Sequence, residues 1–212
     1  MTSSSTRESI LDATERLAAS GGTDALSLRS ITREAGVNVA AIHYHFGGRD
    51  GLMRAMLDRH VAPLNARRLA LLDGLDEAAG PAAVLEAFLR PDLELIDRLR
   101  RDGRASLTRF LGEAYARPTP EVAALMAAQF HPVAEAFLAR LAGCLPEVPP
   151  AELRLRLGLV VAVVQGLFAE APDLDGPALL GADTLDEQVR RLVSFAAGGV
   201  GAPAATPHAR RP

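Results

Sequence analysis

Residues 26–46 read LSLRSITREAGVNVAAIHYHF, and the way this stretch is parsed decides the fold. Leu28, Ile31 and Ala35 recur at helical spacing behind Ser27, whose hydroxyl can accept an N–H that the first helical turn leaves unpaired. Gly36 follows where the chain must turn sharply, since glycine reaches positive φ without a Cβ clash, and Val37 plugs the gap between two helices. Asn38 offers a second N-cap. Val39, Ile42 and Phe46 then form an inward stripe, which leaves Ala40, Ala41, His43 and Tyr44 mostly outward.

An outward face that is small at its N-terminal end and polar-aromatic further along suits a helix entering the major groove N-terminus first. Small side chains let the backbone approach the base edges, and imidazole and phenol groups reach bases or phosphates. The same spacing also describes an ordinary helical hairpin in which Gly36 is only a C-cap. Pattern alone leaves both readings open.

The run Ile31 to Leu52, ITREAGVNVAAIHYHFGGRDGL, resembles the DNA-binding signature of the TetR family of bacterial transcriptional regulators. The Ala-Gly-Val turn, the Tyr-x-Phe and the basic residue after it carry the resemblance, which spans roughly residues 7–57. Beyond that the chain is similar to the family only in length and helical character. The resemblance implies an all-α protein with a three-helix helix-turn-helix domain over 1–48 and a helical ligand-binding and dimerisation domain over 49–197. It places Arg29, Val39, Ala40, Ala41 and His43 near base edges, and Ser27, Tyr44, His45 and Arg49 near phosphates. Arg49 stands where the family usually has Lys, and Gly48 replaces the usual polar cap, which implies a looser helix start. Ala40 and Ala41 carry no hydrogen-bonding group, so readout would fall to Arg29, to His43 or to DNA shape. The Asn38–Gly48 version of the signature resembles the branch that senses fatty acids or their acyl-CoA esters.

Composition agrees with helices. The 212 residues are 49% hydrophobic but only 4% aromatic, without Trp, which favours Ala- and Leu-rich helix packing over a β-sandwich. All 23 basic residues are Arg. The net charge of −3 argues against non-specific coating of nucleic acid. Residues 1–60 hold seven Arg and seven acids, so the candidate reading head is neutral overall and its salt dependence should be modest. That neutrality and the plain alanines motivate a rival reading: a helical small-molecule-binding or interaction protein that has lost DNA binding.

Along the chain, Ser5-Thr-Arg-Glu8 has capping-box spacing and opens an amphipathic helix that stops at Gly21-Gly22. A helix from Arg49 carries Leu52, Met53, Met56, Leu57, Val61 and Leu64, and Pro63 should end or kink it. Pro91 and Pro132 interrupt later helical stretches. Such kinks either line a cavity or are tolerated in a repacked core. The pocket candidates are Met56, Phe88, Arg109, Phe110, Met126, Gln129, Phe130 and Gln165, large apolar or lone polar residues on apolar faces. Leu153–Ala169 is apolar on nearly every side and must be buried centrally or against a partner. Thr184-Leu-Asp-Glu187 is a capping box opening a last helix. By resemblance these two helices pair with their copies in a homodimer through Leu157, Val161, Val164, Phe168, Leu185, Val189 and Leu192. From Gly198 the composition turns to Gly, Ala and Pro, and 198–212 reads as a disordered tail.

Enzyme and cofactor motifs are not found: there is no Gly-x-Ser-x-Gly, no His-Glu-x-x-His and no P-loop. His43 and His45 diverge by about 200° on a helix and cannot chelate one ion. His131 and Cys144, about 20 Å apart along one helix, cannot pair. Cys144 is alone, no secretory signal pattern opens the chain, and the most apolar run, Leu157–Ala169, is interrupted by Gln165 and too short to span a bilayer. The expected partners are therefore an operator in double-stranded DNA, a second copy of the chain and a small effector, a fatty acid or acyl-CoA by resemblance, in the cytoplasm.

Overall fold

The computed structural model describes residues 3–21, 25–116, 118, 120–168 and 184–203. They form nine helices and no strand: α1 Ser3–Gly21, α2 Leu28–Ala35, α3 Val39–Phe46, α4 Arg49–Asp73, α5 Pro81–Arg101, α6 Ala105–Ala116, α7 Pro120–Cys144, α8 Pro150–Phe168 and α9 Leu185–Val200.

The first three helices close over Ile10, Leu11, Leu26, Ile31 and Ile42, none more than 3% exposed. Burying a side chain of this size is worth about 1.5–3 kcal/mol, so these few contacts suffice to fix three short helices against each other. α3 then packs on α4, and α1 touches both α4 and α6, so the head is seated on the body rather than tethered to it. Arg104, just before α6, donates to Glu15 of α1, which also takes a 3.2 Å bond from Arg59 of α4.

In the body α4 packs against α5 and α7, and α5 against α9. Phe88 and Phe137 meet edge to face at 5.0 Å in the centre. Arg156 of α8 donates to the carbonyls of Val200 at 2.7 Å and Ala202 at 2.5 Å, pinning the last turn of α9.

Three expectations change. α1 begins at Ser3, so Ser5 and Glu8 lie inside the helix, where Glu8 pairs with Arg7 and Arg59. Pro63, Pro91 and Pro132 lie within continuous helices, because each lost N–H is one bond among twenty or more residues held by packing. α9 extends to Val200, three residues into the stretch read as tail, with its last turn held by Arg156; residues 204–212 lie outside the described residues. Among the described residues one helix, Val122–Cys144 of α7, is long and apolar enough by composition alone to cross a membrane. In this structure it packs along α4 and α8.

Candidate functional site

The turn between α2 and α3 is built by its sequence. Ser27 accepts from Ser30 N at 3.0 Å while the Ser30 hydroxyl accepts from Ser27 N at 3.0 Å, a reciprocal cap that starts α2. Gly36 ends it at φ 66°, and the Val37 N–H reaches back to Thr32 O at 3.0 Å. This is the glycine-closed helix end in which two orphan carbonyls are satisfied. Asn38 accepts from Ala41 N at 3.0 Å and starts α3 at once. The resulting face presents Val39, Ala40, His43 and Tyr44 to solvent, with Tyr44 81% exposed, while Ile42 is fully buried beneath. Ala41 and His45 are half-buried, and Ser27, Arg29 and Arg49 are exposed. A tyrosine left this exposed has no core to serve.

Gly48 is the N-cap of α4 without a side-chain bond, and Arg49 donates to Leu26 O at 3.4 Å. Gly51 seats α4 against α3: a Cβ there would overlap the carbonyl oxygen of Phe46. Only glycine permits this approach.

Behind the head, a cavity of about 230 Å³ opens between α4, α5, α7 and α8. Phe88, Met126, Phe130 and Gln165 of the pocket candidates line it, together with Val61, Arg68, Asp92, Ala127, Val161, Val164 and Phe168. Met56 and Phe110 lie in the core, Arg109 is exposed and donates to Ser106, and Gln129 donates to Asp58 away from the cavity. Seven of these lining residues were not among the candidates, and two of the seven, Arg68 and Asp92, are joined by a buried ion pair with side chains 7% and 4% exposed. A signal for them exists: Arg68 continues the buried series Leu57, Val61, Leu64, and Asp92 continues Leu85, Phe88, each one turn on. Charged residues on an apolar stripe are rare without a partner. Burial pushes the Asp92 carboxyl above the usual carboxylate range, against the pull of the Arg68 guanidinium.

On α8 and α9, Leu157, Val164, Phe168 and Val189 are buried against the chain's own helices, and Val161, Leu185 and Leu192 are half-buried. The apolar side chains left open on these helices are Leu155 at 58%, Leu159 at 59% and Phe195 at 69%. Among the described residues no cluster of His, Cys, Asp or Glu has metal-binding geometry.

Residues 10–56 match the profile of the bacterial regulatory proteins of the tetR family, and residues 86–199 match the tetracyclin repressor-like C-terminal domain. The chain belongs to the TetR family, and it is a DNA-binding transcriptional regulator rather than an enzyme. Regulators of this family bind DNA operators, dimerise and bind small-molecule effectors.

Solved structures share the fold over nearly the whole chain. A transcriptional regulator from Rhodococcus sp. Rha1 is 24% identical with a TM-score of 0.64, over 93% of this chain and 99% of that one. A regulatory protein of the tetR family from Rhodococcus RHA1 is 14% identical with a TM-score of 0.69, over 94% and 98%. The fatty acid degradation regulator FadR from Bacillus halodurans is 12% identical with a TM-score of 0.64, over 92% and 95%. No curated protein matches the chain.

Proposed function

We propose that the chain is a dimeric repressor that holds a palindromic operator with two α3 helices and lets go when a compact, largely apolar effector fills the cavity behind α4. One observation carries this reading. α4 runs unbroken from Arg49, beside the reading face, to Arg68, in the cavity wall. A ligand that favours one placement of α4 therefore favours one spacing of the heads, and operator affinity follows by linkage. Two-fold DNA symmetry requires two heads, and Leu155, Leu159 and Phe195 supply an exposed apolar face through which two copies can meet.

Arg29 and His43 are the base-reading candidates, with Val39, Ala40 and Ala41 packing against thymine methyls, and Ser27, Tyr44, His45 and Arg49 holding phosphates. An acyl effector is supported by the resemblance in the signature and by the apolar lining. The cavity lies below the ~300–1,000 Å³ of ordinary small-molecule sites. A short acyl chain fits that space, and the nucleotide of a CoA ester would have to stay outside. The setting is the cytoplasm, where operator DNA is.

The test is an electrophoretic shift with the DNA that flanks the protein's own coding region, at two salt concentrations and against competitor DNA. Specific binding by a dimer, lost on double substitution of Arg29 and Tyr44 to Ala without loss of fold, supports the repressor. Folded dimer that binds no such fragment, even after refolding to strip ligand, returns the rival reading of a binding protein without DNA affinity.

A further inference from the structure

The cavity has a charge preference written into its wall. Among the described residues three polar side chains line it, Arg68, Asp92 and Gln165. The first two satisfy each other. The Arg68 guanidinium also donates to Phe88 O at 3.1 Å and Asn65 Oδ1 at 2.8 Å, and lies 4.8 Å from the centre of the Phe88 ring. A cation so occupied is held in place and already neutralised.

A carboxylate entering the cavity would have to share Arg68 with Asp92, placing two anions beside one cation in a low-dielectric space. An ammonium group would have to take Asp92 from Arg68 and leave the guanidinium buried and unpaired. An uncharged oxygen loses far less on leaving water and regains it with one hydrogen bond. Gln165 is placed to make that bond. It is half-buried, interrupts an otherwise apolar face of α8, and makes no hydrogen bond to another described residue. Its amide can donate to a carbonyl or accept from a hydroxyl.

We propose that the occupant is a compact uncharged molecule, apolar over most of its surface and carrying one hydroxyl or carbonyl oxygen that the Gln165 amide addresses, and that free acids and amines are rejected. This rests on the reading of the cavity as the effector site. Because burial already holds the Asp92 carboxyl above its usual range, a carboxylic acid enters only with a proton carried in on one of the two groups.

Calorimetry on the full-length dimer with 1-octanol, octanoate and octylammonium tests this, since the three share a chain and differ in charge. Octanol should bind ~10-fold or more tighter than either ion at about pH 8, given the cost of unpairing a buried charge. Octanoate alone should strengthen at about pH 6. Gln165→Leu should weaken octanol ~5-fold, one hydrogen bond's worth, with the thermal midpoint unchanged. Either ion matching octanol, no binding by any of the three, or an indifferent Gln165→Leu overturns the proposal. DNA is absent from this measurement, so the two readings fail separately. Octanol that binds but leaves an operator complex intact defeats the effector reading alone, and ions that bind and release DNA as well as octanol does defeat this one alone.

Discussion

Arg68 of α4 and Asp92 of α5 are paired across the wall of the cavity with both charges withdrawn from water. Removing one partner leaves the other charged and buried, whereas replacing both with apolar residues of similar volume removes the problem. Arg68→Met should therefore destabilise the fold by about 3–5 kcal/mol. The double substitution Arg68→Met with Asp92→Leu should lie much closer to wild type. Urea denaturation of the three proteins checks this, and equal losses in single and double variants would mean that the pair is incidental.

Gly51 sets how closely the body approaches the head. A methyl group there meets backbone, the Phe46 carbonyl, which cannot rotate away as a side chain would. Gly51→Ala should cost about 1–3 kcal/mol by overpacking and weaken operator binding by tilting α4 from α3. Gly143→Ala in α7 is the control: a Cβ there meets nothing within 4 Å, and the helix gains up to ~1 kcal/mol from propensity. If both substitutions act alike, the close approach is not what matters.

His60 lies at the junction of head and body, its Nε2 3.7 Å from Glu15 of α1 and without a hydrogen bond. Burial lowers its pKa; Glu15 pulls the other way, and the guanidinium groups of Arg104, Arg59 and Arg98 push it down further. In the unfolded chain the imidazole takes up its proton near ~6.5, while the folded protein resists until lower pH. The unfolded state thus binds more protons below about 6.5, so this contribution is complete above that pH and is lost as pH falls. Denaturation midpoints at about pH 7.5 and 5.5 should fall more for the wild type than for His60→Gln. The same fall in both would assign the acid sensitivity to other groups.

The head was legible because its signals are local: a cap, a glycine and a second cap within twelve residues each act on the turn they sit in. The body was legible as helices but not as surfaces. On α8, leucine and valine occur all round the helix, so no periodicity separates the buried stripe of Leu153, Leu157, Val160 and Val164 from the open one of Leu155 and Leu159. Only the packing of α5, α6, α7 and α9 decides. The cavity was legible only in part, for a related reason. Phe88, Met126, Phe130 and Gln165 were singled out as bulky or lone polar residues, but Arg68 and Asp92 sit 24 residues apart and became a pair only when α4 met α5.

The open stripe makes the sharpest prediction about assembly. Leu155, Leu159 and Phe195 are more than half exposed in the single chain, and Gly158 and Ala162 beside them leave room for a second helix to lie close. Covering these side chains removes apolar area at about 25 cal/mol per Å² and leaves the protomer's own core untouched. Leu159→Arg with Phe195→Asp should therefore yield folded monomer by sedimentation, with helicity and the thermal transition retained in part because nothing buried has changed. The same variant should lose specific operator binding, since a single head forgoes the half-site that a two-fold dimer engages. By contrast Val164→Arg, which puts a charge against the cavity wall, should fail to fold rather than dissociate. A monomeric double variant that still held a palindromic fragment at wild-type affinity would separate DNA binding from dimer symmetry in this protein.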